Sequence, residues 1–256
     1  MPPNRGTHRV VLDGRGPLTL READHIHTGG EGAIYRAHDT VVKIYLDPEK
    51  MRRDGMPEKI RVLAQLRHPY LVVPEGIVLD ANGRTPIGIY LPFVEGEHLP
   101  PVFTNAFRTR EKFGDAEARL LAERMREAMD FVHAHDALMI DPNPVNWRVV
   151  VKPIHDPQPK AIDTDSWSIG RWHTSAVMPS IRDWHTAGLN QQTDFFSWGV
   201  VTFELLTGIH PYKGTLNGYK MSELERRMKD NASVFSPGVR LNRAVRDFSV
   251  IPPRLL

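Results

Sequence analysis

The sequence contains no cysteine, which removes disulfides, thiolate metal sites and cysteine nucleophiles, and gives no sign of an oxidising compartment. No uninterrupted apolar stretch approaches the roughly eighteen residues needed to span a bilayer. The opening Met1-Pro-Pro-Asn-Arg-Gly6 is polar, unlike a secretory signal. The cytoplasm is therefore the expected location. An excess of charge of one sign is also lacking: 33 Lys and Arg against 31 Asp and Glu leave a formal charge of +2. The two signs are interspersed, so neither nucleic acid nor a membrane is an expected partner. Internal repeats and low-complexity segments are absent too. What is present is a chain of 256 residues, 41% apolar and 25% charged, enough for one large domain or two small lobes.

The first hundred residues hold short β-prone runs punctuated by Gly, Asp and Asn: Arg9–Leu12, Leu18–Leu20, Ala33–Ala37, Val41–Tyr45 and Ile87–Leu91. One helix interrupts them after Pro57, with Ile60, Leu63 and Leu66 on one side and Lys59, Arg61 and Gln65 elsewhere, ending before His68-Pro69. The character changes at Glu95-Gly96. Asp115 can cap a helix carrying Leu121, Met125, Ala128 and Val132 at helical spacing. A second helix, from about Asp194 to Gly208, is apolar nearly all round, which implies burial. Lys152–Pro159 reads as an exposed proline-rich loop between two strands. The pattern predicts an α+β fold, a β-rich part over about 9–95 followed by a mostly helical part over about 96–256.

The turn His27-Thr-Gly-Gly-Glu-Gly-Ala-Ile-Tyr35 lies between β-prone runs. Its glycines let backbone N–H groups approach phosphates closely, although a plain hairpin turn has the same composition. On the next strand Lys43 can bring an ammonium to the same phosphates. Further on, the chain reads Asp-Pro-Asn-Pro-Val-Asn from Asp141 to Asn146, and Ala161-Ile162-Asp163 follows about one hairpin later. Alone, an acid and an amide five apart also suit an ordinary turn, because both side chains bond their own backbone. Acid, amide and second acid, in that order behind a glycine turn and a lysine, point to phosphoryl transfer.

In this order the segments resemble the eukaryotic-like, or Hanks-type, Ser/Thr protein kinases from about residue 23 to about residue 214, in a divergent bacterial-type branch. The resemblance implies a bilobal fold, ATP with magnesium (or manganese in its place), and a protein substrate bearing a Ser or Thr hydroxyl, the chain itself included. It makes Gly29, Gly30, Glu31, Gly32, Ala33 and Ile34 the phosphate-covering loop, with His27 where the first glycine would stand. Val41 and Lys43 join the nucleotide site. Lys43 then requires a carboxylate, from Glu58 or alternatively Glu49. Leu91, Pro92, Phe93 and Val94 resemble the adenine-binding hinge. Asp141 becomes the residue that orients the attacking hydroxyl, and Asn146 and Asp163 the metal ligands, with Asp165 as the alternative acid. Asp194-Phe-Phe-Ser-Trp-Gly199 and Leu205-Leu-Thr-Gly-Ile-His-Pro-Tyr212 resemble the buried helix and following turn of protein kinases.

The departures qualify this. Met139-Ile140-Asp141 stands where His-Arg-Asp is usual, Asp163-Thr-Asp165 replaces Asp-Phe-Gly, and Ala-Pro-Glu is not recognisable near Arg182-Asp183. Asn143 occupies the place of the lysine that contacts the γ-phosphate, which lowers the positive charge there. A pseudokinase, binding nucleotide or protein without transfer, is accordingly the alternative. Thr174, Ser175 and Ser180 are candidate autophosphorylation sites by position. Trp167, Trp172 and Trp184 read as packing of the same region. His25-x-His27 and His133-x-His135 do not make a metal centre without further ligands. The sequence stops before the last two helices of a typical kinase, so a truncated lobe, with a further C-terminal domain beyond it, or a shortened lobe is expected.

Overall fold

The computed structural model describes residues 7–251. The opening hexapeptide and residues 252–256, on which the reading of the C-terminal end depends, lie outside the described residues. The chain divides into two compact units. One comprises the chain up to Val94 together with Asp163–Asp165 and Ile169–Trp172; the other holds the remainder. The two short segments after residue 162, read from the sequence as parts of the helical half, thus pack with the first unit.

The first unit is built on a seven-stranded antiparallel sheet in the order β2-β1-β6-β7-β5-β4-β3. Its strands are β1 (His8–Leu12), β2 (Gly16–Leu20), β3 (His25–Thr28), β4 (Gly32–Ala37), β5 (Thr40–Tyr45), β6 (Gly76–Leu79) and β7 (Pro86–Pro92). Val10, Leu12, Leu20, Tyr35, Val42, Val78 and Tyr90 form a core on this sheet. Side chains alternate along a strand, so Val42 and Ile44 serve that core while Lys43 and Tyr45 point the other way. Two helices, not one, interrupt the strands: α1 (Pro48–Arg53), capped by the Asp47 carboxylate accepting from Lys50 N–H at 2.8 Å, and α2 (Met56–Leu63). Proline in the first turn suits both, since its missing N–H has no helical partner there. Ile60 and Leu63 of α2 are fully buried.

The second unit contains β8 (Glu97–His98), α3 (Leu99–Val102), α4 (Asn105–Glu111), α5 (Asp115–Ala134), β9 (Ala137–Leu138), β10 (Trp147–Val150), β11 (Gln158–Ala161), α6 (Gln191–Thr207) and α7 (Leu224–Lys229). Strands β11, β10 and β8 make a small antiparallel sheet. Helix α5 buries Leu121, Met125, Ala128 and Val132 as the spacing predicts. Gly114 rather than Asp115 holds its cap position, and Asp115 pairs with Arg108 at 2.8 Å. Helix α6 starts earlier than expected, because Asn190 caps it by accepting from Gln192 and Thr193 N–H. It ends at Gly208 with φ +79, the left-handed conformation that glycine adopts without a Cβ clash. The orphan carbonyls of Leu205 and Leu206 accept from the guanidinium groups of Arg108 and Arg246. Among the described residues no helix is long and apolar enough to cross a membrane.

Candidate active site

The residues named from the sequence fall into two groups, one in each unit. In the first unit the β3–β4 turn is closed by Gly29 N–H donating to Gly32 O at 2.9 Å and by Leu46 N–H donating to Glu31 O at 2.9 Å. Gly32 is required by a close approach: a Cβ there would lie 2.8 Å from the Ile44 carbonyl oxygen. Gly30 and Glu31 are exposed at the tip, Ala33 is buried, and Ile34 stands opposite Lys43 in the register of β4 on β5. Val41 stands opposite Leu91, and Thr40 opposite Pro92. Phe93 N–H donates to Asp39 O at 2.6 Å, and the Arg36 guanidinium covers the Phe93 ring at 3.5 Å. Val94, half-buried, ends this stretch.

Lys43 is buried, and its Nζ lies 2.8 Å from Asp165 Oδ2, 3.1 Å from Asp163 Oδ1 and 3.4 Å from Glu31 Oε2. Burial alone lowers an amine pKa, but the charges of Asp165, Asp163 and Glu31 outweigh it, and Lys43 lies above the ordinary lysine range. The Asp165 side chain is 2% exposed and also accepts from the Tyr45 hydroxyl at 2.6 Å. Burial raises its pKa, yet Lys43, the Tyr45 hydrogen bond and Lys59 together hold it below the usual carboxylate range. Asp163 differs. Its side chain is 38% exposed, its backbone sits at φ +58, and desolvation and the Asp165 charge push it up to about 6 against the pull of Lys43. Between them, Thr164 is fully buried and its hydroxyl donates to Val72 O at 3.1 Å.

The expected partnership of Lys43 with Glu58 is not what the structure shows. Glu58 is on the outer side of α2, its side chain 52% exposed and 3.8 Å from Arg61. Glu49 is exposed in α1. Pro57 sets the first turn of α2, and the inward position one residue after Glu58 belongs to Lys59, although its place beside Ile60, Leu63 and Leu66 in the sequence puts it on the outer side. Lys59 shares a face with Leu63 four residues later, is 5% exposed, and donates to the Asp165 carbonyl at 2.6 Å.

In the second unit the loop after β9 is held from beneath by α6. The Asp194 carboxylate, fully buried, accepts from Met139 N–H at 2.8 Å, from Ile140 N–H at 2.9 Å, and from His133 Nε2–H at 2.9 Å. Ile140 takes φ +66, and the chain turns so that Asp141, half-buried, presents its carboxylate. Asn143 is only 3% exposed. Its Nδ2 donates to Asp141 Oδ2 at 2.8 Å and its Oδ1 accepts from Val145 N–H at 2.9 Å. The place expected to face the γ-phosphate is thus turned inward onto the acid. Asn146 Nδ2 donates to Asp141 O at 2.9 Å, and its carbonyl accepts from Ile162 N–H at 2.9 Å. The other Asp141 oxygen accepts from Met178 N–H at 2.9 Å.

Thr174 and Ser180 are half-buried and Ser175 is exposed. Trp167 is 3% exposed and packed, as expected of that region. The sequence reading missed the buried roles of Tyr45, Lys59, His133 and Asp194. For Tyr45 the signal was present, since it lies two residues beyond Lys43 on one strand face.

No protein-family model matches the chain. It is 22% identical over 214 residues to the cAMP-dependent protein kinase catalytic subunit of Arthrobotrys oligospora, covering 77% of the chain and 39% of that protein. It is 23% identical over 176 residues to death-associated protein kinase 2 of Mus musculus, covering 63% of the chain and 44% of that protein. The chain spans about two fifths of the length of these curated relatives. The similarities support a distant, protein kinase-like relationship, and the mixed sheet-and-helix architecture is compatible with it.

Proposed function

We propose that the chain transfers the γ-phosphate of ATP to a Ser or Thr hydroxyl of a protein. The observation that carries this reading is the buried Lys43 ammonium, held by the two acids of Asp163-Thr-Asp165 beside a glycine turn. A fixed cation next to a turn of backbone N–H groups is suited to binding and neutralising a nucleotide's phosphates. Asp163 in the first unit and Asn146 in the second each offer a hard oxygen of the kind magnesium takes, the ion completing its shell with water and phosphate. When bound, that ion neutralises charge developing on the phosphate oxygens. Asp141 orients the hydroxyl and takes its proton. The hydroxyl oxygen forms the new bond to the γ-phosphorus, and the bond from that phosphorus to the β,γ-bridging oxygen breaks, releasing ADP. Radiolabelled ATP with a generic acceptor, and with the protein alone, tests this. Labelling is expected, with Asp141→Asn and Asp163→Ala reducing it at least about a hundredfold; equal labelling by wild type and both variants removes the reading.

A second reading, a nucleotide-binding pseudokinase, is favoured by one observation. Both Asp141 oxygens already accept hydrogen bonds, from Asn143 and from Met178 N–H. Saturable ATP binding with no phosphate transfer to any acceptor would select it.

A further inference from the structure

Asp165 and Lys59 are charged groups that take no part in the proposed bond-making, and both are buried. A buried carboxylate is costly unless it is paired and hydrogen-bonded. Asp165 is both: Lys43 Nζ at 2.8 Å and the Tyr45 hydroxyl at 2.6 Å meet the same oxygen, Oδ2. Its backbone is fixed independently, because Lys59 of α2 donates to the Asp165 carbonyl at 2.6 Å. The preceding Thr164 is pinned to Val72 O. Glu58, the acid on α2, is turned outward toward Arg61. The helix therefore supplies a cation to the backbone of the acid segment, and that segment supplies the carboxylate to the lysine.

We infer that Asp165 is the positioning residue for Lys43, taking the part that a helix-borne carboxylate would play, with Tyr45 orienting it and Lys59 tying α2 to its backbone. This rests on the reading of Lys43 as the phosphate-binding lysine. Asp163 is left as the more exposed acid, and its partial exposure suits a metal ligand, whereas Asp165, 2% exposed, is spent on Lys43. The division of labour explains why two acids stand in this tripeptide.

The test uses the full chain and two readouts. The first needs no nucleotide: competitive labelling of lysines with an amine-reactive acylating reagent, read by mass spectrometry at Lys43. Asp165→Asn is expected to raise the Lys43 labelling rate at least about tenfold, because a charged hydrogen bond and its shielding are both lost. Tyr45→Phe, which removes one hydrogen bond and little volume, should raise it about threefold. Glu58→Gln should leave it unchanged. The second readout is steady-state kinetics: Asp165→Asn and Tyr45→Phe should raise KM for ATP more than they lower kcat, and Glu58→Gln should do neither. Should Asp165→Asn fail to fold, Tyr45→Phe against Glu58→Gln still decides. Increased Lys43 labelling in Glu58→Gln, or none in Tyr45→Phe and Asp165→Asn, overturns the assignment. Protection of Lys43 as inferred, in a protein that neither binds nor uses ATP, would keep the anchor and defeat the proposed function instead.

Discussion

Asn143 uses both ends of its amide inside its own loop, donating to Asp141 Oδ2 and accepting from Val145 N–H. A side chain so placed fixes the rotamer of Asp141 and caps the turn that carries Asn146. Removing it should therefore act on both. Asn143→Ala forfeits a cap worth about 0.5–2 kcal/mol, and for a chain of this size each kcal/mol moves the melting temperature by about 2–4 °C. A drop of a few degrees by calorimetry is expected, with kcat for phosphate transfer about tenfold lower and KM for ATP unchanged. Asn143→Lys, which restores the charge the resemblance leads one to expect, should not recover activity: at a position 3% exposed the ammonium must leave the loop, and Asp141 again loses its donor. Gain of activity in Asn143→Lys would show that charge, and not orientation, limits the wild type.

At the scale of elements, the turn after α6 carries a pH-sensitive fastening. His210 is 2% exposed, its Nε2–H donates to Ser180 O at 2.7 Å, and its Nδ1 accepts from Tyr212 N–H at 3.2 Å. Only the neutral ring can do both. Burial, helped by the nearby positive charges of Lys213 and Arg227 and opposed by the Ser180 carbonyl, lowers its pKa to about 4. The folded value is depressed below the unfolded one, near 6.5. The contribution is thus complete above about pH 6.5 and is lost as pH falls toward 4, on the order of 2 kcal/mol across that window. Melting temperature should decline between these pH values, and His210→Asn should flatten the decline while lowering the plateau. An unchanged slope in the variant would refute the assignment. The elements themselves were unequally legible. Helices α5 and α6 announced themselves because their apolar spacing runs for many turns. Strand β6 did not, since a four-residue apolar run such as Gly76–Leu79 reads as strand or buried helix alike. Helix α1 was hidden by its brevity, since six residues are too few to show a helical period.

At the scale of the whole molecule, what the sequence could not show is pairing at long range. Lys43 and Asp165 lie 122 residues apart in the chain, and no local pattern couples them. The resemblance implies Glu58 of α2 as the lysine's partner, and that pair does not form because Lys59, not Glu58, occupies the inward face of the helix. That Asp141 and Asn146 come together was legible, because they stand five positions apart in one loop. The two groups of site residues belong to different compact units, which makes the response of the whole chain to nucleotide informative. Ligand that binds only the folded state stabilises by about 2.7 kcal/mol when present at about a hundred times its Kd. At about 2–4 °C per kcal/mol, ATP with magnesium should raise the melting temperature by roughly 5–10 °C. If the units melt as one, a single transition shifts; if they melt separately, the transition that moves is the one belonging to the unit with Lys43, which can be assigned by its sensitivity to Val42→Ala in that unit's core. Lys43→Met should abolish the shift. A shift of full size in Lys43→Met would mean that nucleotide binds elsewhere, and with it the role of the Lys43 cluster would fall.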